Sequence, residues 1–204
     1  MIKLAVLVSG SGTTLQNFID EIAAGRLDAR VELVIGSGPG LRGIERAAAA
    51  GLRHDVVERS TFGDCESFSR EVFERIDRAH VDLVCFAGWL CLLDLPPRYA
   101  GRTMNIHPAL LPSFGGKGMY GLRVHQAVIE QGCKISGCTV HFVDNTYDTG
   151  PIIIQRACPV LNDDAPQTLA ARVFEEEKIA YPEAIRLFAE NKLRIEGRRV
   201  RVLR

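Results

Sequence analysis

The first apolar run, Leu4-Ala5-Val6-Leu7-Val8, is unbroken and β-prone, and Ser9-Gly10-Ser11-Gly12 stops it. A half-exposed strand would show a polar residue at every second position, so an unbroken run predicts a strand buried on both faces. Over residues 13–24 the pattern changes to helical spacing, with Leu15, Phe18, Ile19 and Ile22 on one stripe and Gly25 placed to end the helix. The unit recurs: a strand at 31–35 precedes a helix near 41–50, and a strand at 82–87 follows a helix near 62–79. Further on, the pattern predicts a strand at 104–106, a Gly-rich loop at 115–118 and a helix near 124–131. Strands at 138–143 and 152–157 come next, then a long helix at 166–189. Residues 193–202 alternate around a glycine-containing turn, as an edge hairpin does.

Strands alternating with helices imply an α/β fold, a mostly parallel twisted sheet with helices on both faces and right-handed crossovers. Ligands in such folds gather at the carboxyl ends of the strands. With 204 residues, 47% of them hydrophobic, and no repeat or linker, the chain is expected to form a single domain over 1–204.

Charge and cysteine content narrow the chemistry. The 25 basic and 25 acidic residues cancel, which gives no footprint for nucleic acid or an anionic membrane. An anionic ligand must then be held locally. Six cysteines show neither a C-x-x-C pair nor zinc-finger spacing to histidine, so no metal site is expected and free thiols in a reducing compartment are. No apolar run approaches the ~20 residues of a membrane span. The N-terminus lacks the pattern of a signal peptide. These features predict a cytoplasmic protein, monomeric or homodimeric.

Three segments carry candidate chemistry. The loop Ser9-Gly10-Ser11-Gly12-Thr13-Thr14 joins a strand to a helix, where free N–H groups and the helix dipole favour a phosphate. It lacks the third glycine of a dinucleotide fingerprint and the lysine of a P-loop, and an ordinary tight turn with a Thr cap is the alternative. In Asn105-Ile106-His107-Pro108 an extended backbone sends the amide and the imidazole to the same side. One can polarise a carbonyl while the other moves a proton; a turn asparagine and a structural histidine are the alternative. The third segment, residues 139–151, runs from a strand into an acidic loop ending at Gly150-Pro151. A carboxylate from that loop beside an imidazole would raise the histidine's pKa and orient it, whereas solvated turns are the commoner fate of Asp144 and Asp148. His141, inside the strand, reads as a satisfied core histidine.

Residues 8–16, 105–112 and 139–155, which hold these segments, resemble the three signatures of phosphoribosylglycinamide formyltransferases, in the family's order and spacing. Phe86-Ala87-Gly88-Trp89 resembles the family's folate-pocket strand end, and residues 171–182 resemble its late helix, so the likeness covers almost the whole chain. The resemblance implies a Rossmann-like formyltransferase fold and transfer of a formyl group from N10-formyltetrahydrofolate to the amine of glycinamide ribonucleotide, without a metal. It makes Asn105 the formyl-oxygen donor, His107 the proton-handling imidazole and Asp148 its carboxylate partner. Gly12, Thr13 and Thr14 are implied at the ribonucleotide phosphate, Glu177 near its ribose, and Trp89, Leu90, Leu92, Val143 and Asp144 around the folate. Cys65 and Cys91 stand where family members commonly carry arginines on the folate side.

A formyltetrahydrofolate hydrolase, with water as acceptor, is the nearest rival, and the phosphate loop argues against it. Methionyl-tRNA formyltransferase is disfavoured by the neutral charge. A non-catalytic phosphate-ligand-binding module is the rival from another class, because fold does not fix function. The joint presence of Asn105, His107 and Asp148 argues against that one.

Overall fold

In the computed structural model, which describes residues 1–203, the chain divides into two compact units, Met1–Met104 and Asn105–Arg204. The first unit carries strands β1 (Ile2–Val8), β2 (Ala29–Gly36), β3 (His54–Val56) and β4 (Leu83–Phe86), ordered β3-β2-β1-β4 with every neighbouring pair parallel. Helices α1 (Thr13–Ala23), α2 (Arg42–Ala49) and α3 (Cys65–Ala79) connect them. Leu4 to Val8 have no exposed surface, as an uninterrupted apolar strand demands. Phe68, Val72, Phe73 and Ile76 of α3, at i, i+4, i+5 and i+8, are buried as one face.

The division falls inside β5 (Thr103–His107). The second unit continues with α4 (Leu122–Glu130), β6 (Ile135–Phe142), β7 (Ile152–Pro159), α5 (Pro166–Ala189), β8 (Leu193–Glu196) and β9 (Arg199–Val202). Its strands follow the order β5-β6-β7-β9-β8. β6 and β7 are antiparallel, and β8 and β9 form the C-terminal antiparallel hairpin expected from the sequence, with β9 parallel to β7. The α/β class with a largely parallel sheet holds. Leu169, Val173, Ala180, Tyr181 and Ile185 give α5 its buried stripe.

Two expectations shift. The helix expected from residue 62 begins at Cys65, because Asp64 caps it by accepting the Ser67 N–H at 2.7 Å, and Arg59–Thr61 form a separate 3₁₀ turn. β3, three residues long and mostly polar, carries no periodic signal and was not expected.

Candidate active site

Side-chain alternation on β5 turns Asn105 and His107 to one side, and both reach the same carboxylate. Asn105 Nδ2 donates to Asp148 Oδ1 at 3.3 Å, and His107 Nδ1 lies 3.5 Å from Asp148 Oδ2. Asp148 comes from the loop between β6 and β7 and occupies the left-handed region at φ 56°, a strained backbone for a residue with a Cβ. The loop's return is fixed by Gly150, where any Cβ would stand 1.8 Å from the Phe142 carbonyl oxygen, so no other residue fits this close approach. Asp148 is thereby held inward: its side chain is 12% exposed, against 4% for His107.

Two backbone groups complete the arrangement. The Gly116 N–H donates to Asp148 Oδ2 at 2.9 Å, and His107 Nε2 lies 2.8 Å from the Phe114 carbonyl. A carbonyl only accepts, so Nε2 carries the hydrogen in the neutral ring and Nδ1 is left with a bare lone pair facing the carboxylate. Such a nitrogen is poised to take a proton, and the carboxylate stabilises the cation that results. The Gly-rich loop at 115–118 thus supplies a donor to the site.

Charge states follow from burial as much as from pairing. Burial lowers the His107 pKa below its ordinary value, and this outweighs the upward pull of the Asp148 charge and of the Phe114 hydrogen bond. The sequence led us to expect a net rise. The carboxylate does pull upward, but the desolvation of a 4% exposed ring wins. For Asp148, burial is the largest single influence and pushes upward. The neighbouring His141 ring, the His107 charge and the Gly116 N–H together exceed it and hold the carboxyl below the usual range. Near neutrality the pair is a carboxylate beside a neutral imidazole.

His141, read from the sequence as a core residue, belongs to this cluster. Its Nε2 is 3.2 Å from Asn105 Nδ2 and 3.7 Å from Asp148 Oδ1. It shares a face of β6 with Thr139, which accepts from the Leu111 N–H and donates to the Ala109 carbonyl. Period-two spacing from Thr139 was the signal that could have found it.

The other expected residues stand as follows. Gly12 is the N-cap of α1, left-handed at φ 69°, with no side-chain cap, so the Thr-capped turn considered from the sequence is not formed. A Cβ on Gly12 would meet Gly43 Cα at 2.5 Å, so glycine is required for the loop to lie against α2. Gly43 N–H donates to the Gly10 carbonyl at 3.0 Å and Arg46 Nε to the Ser11 carbonyl at 2.9 Å, and both fix the loop. Thr13 is exposed and Thr14 buried. Trp89 stacks on Phe68 at 5.9 Å, Leu90 is 44% exposed and Leu92 is half-buried. Cys65 Sγ lies 3.4 Å from the Leu92 carbonyl, and burial raises the Cys91 pKa. Val143 is half-buried, and the Asp144 carboxylate is engaged within its own loop by Thr149 Oγ1 and the Thr146 N–H. Glu177, on α5, is pushed up to about 7 by burial. Among the described residues no cluster of three or more His, Cys, Asp or Glu side chains could hold a metal ion, no disulfide joins any of the six cysteines, and no helix is long and apolar enough to cross a membrane.

His125 on α4 is 4% exposed with an unpartnered Nδ1, and burial followed by the His107 charge pushes its pKa down to about 4. The unfolded chain binds this proton below about 6.5 and the folded chain only near 4, so stability falls as the pH drops through that window. Relative to His125→Leu, the wild-type protein should lose about 3 kcal/mol more stability between pH 7 and pH 4. Urea midpoints at the two pH values measure the difference, and parallel losses in both proteins would contradict it.

The fold and this cluster define a class. The chain belongs to the formyl transferase family, whose sequence profile matches residues 2–185. It is 44% identical to glycinamide ribonucleotide transformylase 1 from Symbiobacterium toebii, whose crystal structure superposes with a TM-score of 0.92 over 100% of this chain and 95% of that one. It is 37% identical to the chloroplastic phosphoribosylglycinamide formyltransferase of Arabidopsis thaliana, over 94% of this chain and 67% of the relative. It is also 41% identical to the trifunctional purine biosynthetic protein adenosine-3 of Drosophila melanogaster, over 90% of this chain, but it spans only 14% of that protein's length.

Proposed function

We propose that the chain transfers a formyl group from N10-formyltetrahydrofolate to the amine of glycinamide ribonucleotide, a step of purine biosynthesis, and that both units act as one formyltransferase domain. The observation that carries this reading is one carboxylate shared by Asn105, His107 and His141, on a chain whose relatives are named for the reaction. The folate supplies an electrophilic formyl carbon. Asn105 donates to the formyl oxygen as negative charge develops there. His107 Nδ1 receives the proton of the attacking amine, directly or through an ordered water, Asp148 stabilises the imidazolium, and the proton passes to the folate N10 as its bond to the formyl carbon breaks. No side chain is acylated in this scheme.

For the substrates, the uncapped start of α1 at Gly12, Thr13 and Thr14 suits a phosphate, since its N–H groups and dipole favour an anion. Glu177, half-buried and with its pKa pushed up to about 7, is assigned to the ribose. Trp89, Leu90, Leu92, Val143 and Asp144 are assigned to the folate, and the exposed Leu90 fits a flat apolar ring. With cysteines at 65 and 91, the folate's anionic tail must rely on other groups. Six cysteines, none of them in a disulfide, support work in a reducing cytoplasm.

The test is absorbance-monitored deformylation of the folate, with and without glycinamide ribonucleotide. Turnover only with the ribonucleotide is expected. Equal turnover without it would make the protein a hydrolase, and none in either arm would make it a binder.

A further inference from the structure

Asn105 can present either a donor or an acceptor to whatever lies before it, because an amide turned by 180° keeps its shape and exchanges its oxygen for its nitrogen. What fixes that choice is the His141 ring, held by its bond to the Phe142 carbonyl. His141 Nδ1 lies 2.8 Å from the Phe142 carbonyl, and a carbonyl only accepts, so Nδ1 carries the hydrogen. In the neutral ring Nε2 is then bare. It lies 3.2 Å from the Asn105 amide, whose other neighbour, Asp148 Oδ1, also only accepts. Asn105 therefore meets two acceptors and has to offer them Nδ2. Turned over, its Oδ1 would face two lone pairs with no hydrogen between, at a histidine 2% exposed and a carboxylate 12% exposed, where water does not relieve the repulsion.

We propose that His141 is a positioning residue which, with its tautomer set by Phe142, locks the Asn105 amide with its donor end toward the carboxylate. The proposal deepens the reading of Asn105 as formyl-oxygen donor and rests on it. The two acceptors differ in kind. Asp148 is charged and keeps its hydrogen at 3.3 Å, whereas His141 Nε2, at a similar 3.2 Å, is a neutral ring nitrogen and the weaker acceptor. A developing oxyanion competes well against the second. The hydrogen resting on His141 is thus the one available to the reaction, held in place until negative charge draws it. Asp148 alone would still bind the amide by one hydrogen but would leave its plane free to rotate about that bond.

The ring's two atoms can be separated by substitution. An asparagine at 141 reproduces the δ-position donor to Phe142 but has nothing at the ε position, whereas a glutamine extends an acceptor to the ε position. His141→Asn should lower kcat by about 10²-fold with KM for both substrates within about threefold, the signature of a lost transition-state contact. His141→Gln should recover kcat to within about tenfold of wild type by restoring the acceptor. Because the effect passes through Asn105, adding His141→Asn to Asn105→Ala should cost less than about threefold more. Equal losses in the Asn and Gln variants, or an undiminished penalty in the Asn105→Ala background, would overturn the assignment.

A second readout needs no turnover. In ¹⁵N spectra of the full chain, His141 should show the Nδ1-protonated tautomer, and the Asn105 side-chain NH₂ should exchange slowly in wild type and faster in His141→Asn. If wild type is inactive but these spectra behave as stated, the functional reading fails and the positioning role stands. If wild type is active and the Asn105 NH₂ is indifferent to His141→Asn, the positioning role fails alone.

Discussion

Asp148→Asn lowers kcat by about 10³-fold and leaves KM for both substrates within about threefold, the loss expected when a positioned proton-handling pair is broken but the binding surfaces stay. A carboxylate offers two accepting oxygens and an asparagine offers one. In the wild-type protein Oδ1 takes a hydrogen from Asn105, and Oδ2 takes the Gly116 N–H while facing His107 Nδ1. Whichever way the new amide turns, its NH₂ meets another donor, either Asn105 Nδ2 or the Gly116 N–H. The charge that stabilises a protonated His107 is lost as well.

The pH profile distinguishes this from simple misfolding. Asp148 lies below the ordinary carboxylate range, so it stays ionised across a normal assay and contributes no titration there. The acid limb of kcat/KM belongs to His107, whose pKa burial has already lowered from 6.5. Asp148 is the strongest influence raising that value, so its neutralisation moves the limb to lower pH, on a depressed plateau. A limb that stays in place or moves up, or a change confined to KM, would remove Asp148 from the proton path.

The sequence made one half of this site visible and hid the other. Asn105 and His107 were legible because extended backbone has a fixed period of two, and a two-residue spacing is a statement about direction. Asp148 was legible as a candidate because an acidic loop ending at Gly150-Pro151 follows a strand. The tautomer of His107 was not legible, because it depends on the Phe114 carbonyl, a group that every residue carries and no residue type announces. The Gly116 N–H escaped for the same reason. The net charge preference of His107 was misjudged, since a pattern of residues names the neighbouring carboxylate but not how dry the imidazole is. His141 was missed differently: a histidine in an apolar strand looks the same whether its ring packs in the core or serves a catalytic amide. Only the Nε2 contact with Asn105 Nδ2 at 3.2 Å, made across two strands, ties the ring to the site. At the level of the fold, β1 and α5 were legible from unbroken or periodic burial, and β3 was not, because a three-residue polar strand is fixed by its parallel pairing with β2.

Asn105→Ala is the second large effect, a loss of about 10²–10³-fold in kcat, the cost of removing one donor aimed at a developing oxyanion. The substitution also leaves Asp148 Oδ1 and His141 Nε2 without the hydrogens they share with the amide, and both groups are nearly dry. Stability should therefore fall by about 1–3 kcal/mol, the cost of leaving such acceptors unmade. A lower Tm could mimic a lower kcat by shrinking the folded fraction. The assay is accordingly run well below the variant's Tm and normalised to folded protein by circular dichroism. Once corrected, the residual loss must sit in kcat, because an oxyanion donor acts on charge that substrate binding has not yet created. A variant that binds both substrates normally, is fully folded and still turns over slowly confirms the donor. One whose deficit disappears on normalisation, or appears only as a raised KM, shows that Asn105 serves the carboxylate and not the reaction.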